Sequence, residues 1–278
     1  MTTVTDIERA LSTIDGWGAD HASTALVGPG GVVAHHGTAD HRYRWASITK
    51  LATAMAVLTA VDDGSIDLDE PAGPPGSTVR HLLAHASGLP FEGEAVLAAP
   101  GTRRIYSNPG FDSLGALLAG RTGRPFAVAL ADRLLAPLAM AGTELVDRPS
   151  QGLHGPLQDA VALTREMLRP TLLRPETMAL ATTVAFPGLK GRLPGVGTYD
   201  PLDWGLGFEI RDGKDSHWMG TTNSPRAFGH FGASGTFIWV DPLIDRALVC
   251  LTDRDYGPWA LEAWPGLSDQ LIEAMRDG

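Results

Sequence analysis

The chain has 278 residues, of which 44% are hydrophobic and 19% charged, a balance that excludes a disordered chain and leaves enough apolar surface for a substantial core. The formal net charge is -10 and no basic cluster exceeds a pair such as Arg103-Arg104. Nucleic acid and an anionic membrane surface are therefore disfavoured as partners, and a small-molecule substrate is expected.

In chain order, Thr5-Asp6-Ile7-Glu8 has the form of a capping box, and Ile7, Ala10, Leu11 and Ile14 follow at helical spacing, which predicts an N-terminal amphipathic helix. Thr24 to Val27 and Val32 to Ala34 read as strands of a hairpin around Gly28-Pro29-Gly30-Gly31. A helix opens near Ala46 and Ser47 and stops at Asp62-Asp63-Gly64, and Ile66 to Ser77 is a loop rich in Asp, Pro and Gly. Val79 to His85, Phe111 to Gly120, Pro125 to Leu138, Asp159 to Leu168 and Pro175 to Thr182 read as helices. Strands return at Trp204 to Ile210, Phe228 to His230, Thr236 to Val240 and Ala247 to Thr252, before a closing helix over Leu267 to Met275.

This order predicts an α+β fold: both chain ends share one antiparallel sheet, and a mostly helical lobe stands beside it. No repeat or linker divides the chain, so one domain over 1–278 is expected, with a sheet lobe (1–60 and 203–278), a helical lobe (61–202) and a site in the cleft between them. The longest apolar run, Leu51 to Val61, is far shorter than the roughly 18 to 20 residues of a membrane span. The single cysteine, Cys250, permits no internal disulfide. With no leader pattern in the first residues, a cytoplasmic, soluble protein is the expectation.

Only Lys50, Lys190 and Lys214 among the 22 basic residues are lysines. In a chain that otherwise uses arginine, a lysine in its most apolar helix points to a need for an amine and not merely for charge. Ser47-Ile48-Thr49-Lys50 sets a hydroxyl and that amine one helical turn apart, with the serine at the positive end of the helix. A serine becomes a nucleophile when a neighbour takes its proton, and a lysine can do so when desolvation lowers its pKa; Leu51, Ala54, Met55 and Leu58 are the expected source of that desolvation. The same spacing also suits a helix N-cap with a snorkelling lysine. Tyr106-Ser107-Asn108 lies on a connection, with Asn108 placed as an N-cap before Pro109. Gly229-His230-Phe231-Gly232-Ala233-Ser234-Gly235 joins strand-like flanks, its glycines pointing either to close backbone approach or to a tight hairpin.

The ordered set S-x-x-K, Y-S-N and H-x-G resembles the serine β-lactamase and penicillin-binding-protein superfamily. The Y-x-N form is similar to class C β-lactamases, D-alanyl-D-alanine carboxypeptidases and the β-lactamase-like family VIII esterases. Ile66 to Pro71, His81 to Pro90 and Thr122 to Phe126 also resemble that family, and the resemblance runs from about residue 24 to 253. It implies that Ser47 attacks a carbonyl and carries the acyl group while Lys50 and Tyr106 share proton transfer. It further implies that Asn108 bonds the substrate or Lys50, and that the N–H groups of Ser47 and Ala233, beside Gly232, form an oxyanion hole. No metal or cofactor is called for.

His230 stands where β-lactamases of this superfamily usually have a lysine able to pair with a carboxylate. The chain is also shorter than typical members, so trimmed loops are expected. Both departures favour a small ester or amide over a β-lactam, and thus a carboxylesterase, with β-lactamase or D-amino-acid peptidase as the alternative on the same site. His36-Gly37-Thr38-Ala39-Asp40-His41 comes near the zinc signature H-x-H-x-D-H but has Thr38 in place of the middle histidine. His81 and His85 echo H-E-x-x-H without its glutamate, and no serine has the G-x-S-x-G elbow. A non-catalytic binding protein on the same fold is the rival from another class.

Overall fold

The computed structural model describes residues 4–276. Helix α1 (Val4–Ser12) forms where its apolar periodicity predicts it; the side chain of Thr5, the expected cap, lies outside the described residues. The large sheet has six strands, antiparallel throughout, in the order Gly31–Gly37, Ala22–Gly28, Arg246–Thr252, Thr236–Asp241, Phe228–Gly232, Glu209–Ile210. Ala22 lies opposite Thr252 and Val27 opposite Ala247, so the two ends of the chain pair as expected.

Alternation along these strands builds two cores. Phe237, Trp239, Leu248 and Cys250 pack with Leu11 of α1 and with Trp264, Leu267 and Leu271 of the C-terminal helix Pro258–Arg276. Ile238, Val240, Val249 and Leu251 belong to the opposite core, with Leu157 and Leu163 of the helix Leu157–Leu168 and with α2 (Thr49–Asp62). Helix α2 is buried from Thr49 through Leu58 with no polar face, the mark of a helix enclosed on all sides. Two further helices pack around it or beside its partner: α3 (Val79–Leu83) lies against α4 (Asn108–Thr122), and α4 against α2. No helix among the described residues is long and apolar enough to cross a membrane.

Three expected elements differ. The closing helix begins at Pro258, not Leu267: a proline is well tolerated at a first helical position, Ala260 and Trp264 are buried along the added turns, and Pro265 sits within the helix. The segment read as a strand over Trp204 to Ile210 contributes only Glu209–Ile210 to the sheet, because the chain folds back at Gly205 to Gly207, where Gly205 N–H donates to the Phe208 carbonyl at 2.8 Å and Trp204 bridges Glu209. The helix predicted over Pro125 to Leu138 is α-helical for Phe126–Leu130 and continues as a wider π turn over Ala131–Leu135.

Gly207 shows how closely these parts meet. Its φ is +97° and a Cβ there would fall 2.2 Å from the Cβ of Ala54 in α2. Substituting Gly207→Ala should cost about 2 to 4 kcal/mol, by backbone strain and overpacking together, read as a lower urea midpoint; an unchanged midpoint would show that α2 can move aside.

Candidate active site

Ser47 is positioned by a strained turn that the surrounding fold holds in place. The short strand Tyr43–Arg44 leads through Trp45 into a 3-10 turn, Ala46–Ile48, that runs directly into α2. Ala46 has φ +46°, a left-handed conformation that costs a non-glycine residue about 1 kcal/mol. It is held by Trp45: the indole N–H donates to the Gly155 carbonyl at 3.1 Å, the backbone N–H to the Leu153 carbonyl at 2.9 Å, and the Trp45 carbonyl accepts from the Thr236 hydroxyl at 2.9 Å. On the other side, a Cβ on Gly232 would lie 2.5 Å from the Trp45 carbonyl oxygen and 3.2 Å from the Ala46 Cβ. Only glycine allows the strand Phe228–Gly232 so close, and it brings Ala233 beside the turn carrying Ser47. Among the turn and loop hydrogen bonds of the described residues, the backbone N–H groups of Ser47 and Ala233 donate to no backbone carbonyl.

Lys50 is fully buried. Its Nζ lies 3.2 Å from Ser47 Oγ, 2.6 Å from Asn108 Oδ1 and 2.9 Å from the Ser150 carbonyl oxygen. Burial is the main force on its pKa, lowering it to about 7 against the pull of Asp112 and Glu92 and with the help of Arg148. A neutral amine has two N–H donors and one lone pair. Asn108 Oδ1 and the Ser150 carbonyl can only accept, so in the neutral form they take both N–H groups and leave the lone pair for the Ser47 hydroxyl, whereas the ammonium also donates to Ser47 Oγ. The rings packed on the amine are those of Tyr106, 4.8 Å from Nζ to the centroid, and Phe111 at 5.7 Å; these aromatic faces on and before α4 add to the buried α2 residues around Lys50.

Tyr106 is buried, and its phenol is pushed up by desolvation, only partly offset by its contact with Ser47. It is a neutral O–H at ordinary pH. His230 Nδ1 donates to the Phe231 carbonyl at 2.6 Å, which leaves Nε2 bare and 3.5 Å from Tyr106 Oη. Burial, and then the nearby Lys50, lower the His230 pKa to about 3, so this imidazole is uncharged near neutrality. All seven residues singled out in the sequence, Ser47, Lys50, Tyr106, Asn108, His230, Gly232 and Ala233, therefore meet in one region.

Asn108 is not the N-cap its position before Pro109 predicts. Ser107 takes that role, its Oγ accepting from Gly110 N–H at 3.1 Å, which frees the Asn108 amide to turn inward. His85 lies beyond the end of α3 with φ +54°, accepts the Ser107 N–H on Nδ1 at 3.1 Å and packs against Tyr106, Phe111 and Trp204. It props the Tyr106 segment and shares no helix face with His81, which instead caps α3 through Thr78. His36 pairs with Asp15, while His41 stacks on His21 beside Asp253; the two ends of the zinc-like sequence part company. Sequence reasoning missed Ser150, Glu92, Arg148, Phe111 and Trp204, which lie on distant loops and helices and carry no local motif.

The buried lysine gives stability a pH dependence. The unfolded chain binds the lysine proton up to about pH 10.5 while folded Lys50 releases it near 7, so stability rises with pH through that window. Compared with Lys50→Met, which cancels the other titrating groups, the wild-type chain should gain about 3 kcal/mol between pH 7 and 9.5 in urea unfolding; a flat difference would contradict a lysine neutralised by burial.

The family model described as Beta-lactamase matches residues 15–270. A β-lactamase from Mycobacterium bovis of known crystal structure is 49% identical, with 95% of this chain and 99% of that one covered and a TM-score of 0.93. A D-alanyl-D-alanine-carboxypeptidase/endopeptidase of Escherichia coli K12 is 30% identical over 40% of this chain and 39% of that protein, so the match spans about two fifths of that relative's length. EstCE1, a hydrolase with promiscuous acyltransferase activity, is 16% identical and shares the fold, with a TM-score of 0.78 over 96% of this chain and 97% of that one. With a family match over nearly its whole length and the fold to go with it, this chain belongs to the β-lactamase family of serine hydrolases.

Proposed function

We propose that the chain is a carboxylesterase acting on small acyl esters through an acyl-enzyme on Ser47. The observation that carries the reading is the arrangement at Lys50: a buried amine, held near neutrality, whose one unclaimed valence faces the Ser47 hydroxyl at 3.2 Å. In acylation Lys50 takes the Ser47 proton as the oxygen adds to the substrate carbonyl, the N–H groups of Ser47 and Ala233 receive the oxyanion, and the leaving alkoxide regains a proton from the Lys50 ammonium, relayed by the Tyr106 phenol. In deacylation water replaces the alcohol, with proton transfer through the same pair.

Ester preference rests on His230. An imidazole kept uncharged by burial and tied to the Phe231 carbonyl offers no cation to a β-lactam or peptide carboxylate. A cavity of about 450 Å³ beside Tyr106, lined by Phe91, Leu97, Ile105 and Pro194 together with Arg103, Arg104 and Arg192, has room for a small acyl or alkyl group. The second reading, β-lactamase or D-amino-acid peptidase on the same serine, draws on what the M. bovis and E. coli relatives are called.

A panel of p-nitrophenyl acetate and butyrate, nitrocefin and D-alanyl amides separates the readings: esters should be turned over fastest, and nitrocefin turnover far above ester turnover would favour the second. Fluorophosphonate should label Ser47, and no adduct in folded protein would leave a binding protein. Lys50→Arg should lose about 10²-fold or more in kcat/KM for esters, since a guanidinium keeps the charge but cannot act as a base.

A further inference from the structure

Behind Lys50 the polar contacts close into a ring. Lys50 donates to Asn108 Oδ1 at 2.6 Å, and Asn108 Nδ2 donates to Glu92 Oε1 at 2.7 Å. Arg148 donates to Glu92 Oε1 at 2.8 Å and to Oε2 at 3.2 Å, and lies 3.6 Å from Asp112 Oδ2. Asp112 Oδ1 accepts the Ser150 N–H at 3.1 Å, and the Ser150 carbonyl accepts from Lys50 at 2.9 Å, which completes the circuit. Four parts of the chain contribute: α2, the loop after α3, α4, and the loop around Arg148 to Ser150.

We infer that Glu92 and Arg148 are positioning residues for the proposed base, fixing through Asn108 and Ser150 the direction in which the Lys50 lone pair points. An amide has a donor end and an acceptor end. If Asn108 were flipped, its NH₂ would face Lys50 and donate to the lone pair that Ser47 needs. Glu92 prevents this, because a carboxylate only accepts and so claims the NH₂ end. Arg148 holds Glu92 by two hydrogen bonds and, through Asp112, steadies the Ser150 peptide. The pair also acts electrostatically. Glu92 and Asp112 favour the charged lysine and Arg148 opposes it, while the other titratable groups facing the amine are Tyr106, His85 and His230, the two imidazoles held neutral largely by burial.

The inference rests on Lys50 serving as the base for Ser47, and the test keeps the two apart. The rate of Ser47 phosphonylation by a fluorophosphonate, followed against pH, needs no knowledge of the substrate, and ¹³C-labelled lysine gives a direct titration in a chain with only three lysines. Glu92→Gln keeps an acceptor for the Asn108 NH₂ and removes the charge; it should label Ser47 within about threefold of the wild-type rate, with the Lys50 midpoint moved down by about half a pH unit. Arg148→Met should move that midpoint up by about as much. Glu92→Leu, which removes the acceptor, should slow labelling by about tenfold or more. A leucine variant as fast as the wild type, a glutamine variant as slow as the leucine one, or midpoints that move in the same direction would overturn the inference. Should the leucine variant fail to fold, the opposed midpoints of the other two decide. A wild-type protein that labels nowhere, yet whose lysine moves as described, would remove the hydrolase reading and leave the charge arrangement standing.

Discussion

An amine with no access to water, bordered by two groups that can only accept hydrogen bonds and by one hydroxyl, is the arrangement around which this molecule is organised. Moving a lysine into such a place is costly, and the cost falls on its charged form. The surrounding structure is what makes the place dry: α2 is buried from Thr49 through Leu58, the rings of Tyr106 and Phe111 cover the amine, and Gly207 lets a neighbouring turn lie against Ala54 without a gap. The two acceptors then impose a direction. With both N–H groups claimed, the lone pair faces Ser47, so burial and geometry act on the same atom.

Ser47 itself depends on both halves of the fold. Its turn is fastened to the sheet through Thr236 and the close approach at Gly232, and to the helical side through Gly155 and Leu153. The strain at Ala46 persists because these contacts fix Trp45 on both sides. On the substrate side, His230 and Tyr106 form a neutral pair. The serine, the lysine and the tyrosine are the residues on which the resemblance to the β-lactamase family rests; the uncharged imidazole is what directs the reading towards esters. Arg104 shows the same economy elsewhere: its buried guanidinium donates to four backbone carbonyls, those of Ala84, Ala185, Phe186 and Leu202, and ties down the strand leading into Tyr106.

The α+β architecture and the shared antiparallel sheet were legible because strands such as Ala247 to Thr252 and helices such as α2 have strong local composition. Ser47 and Lys50 were legible from their spacing and the scarcity of lysine, and His230 from the glycine-dense segment that carries it. What escaped was set by tertiary contact. The capping role passed from Asn108 to Ser107 because the Asn108 amide is drawn inward by Lys50 and Glu92, a pull from residues 58 and 16 positions away. The C-terminal helix began nine residues early, its added turns held by the burial of Ala260 and Trp264. Glu92, Arg148 and Ser150 belong to loops that no periodicity describes, and only the folded chain brings them behind the amine.

Direct titration of Lys50 in the unmodified protein, by the chemical shift of its ¹³Cε, tests the central claim with no assumption about substrate. A midpoint of about 7 is expected. A midpoint close to that of an ordinary solvated lysine, about 10.4, would mean that the amine stays charged at neutral pH and cannot take the proton from Ser47.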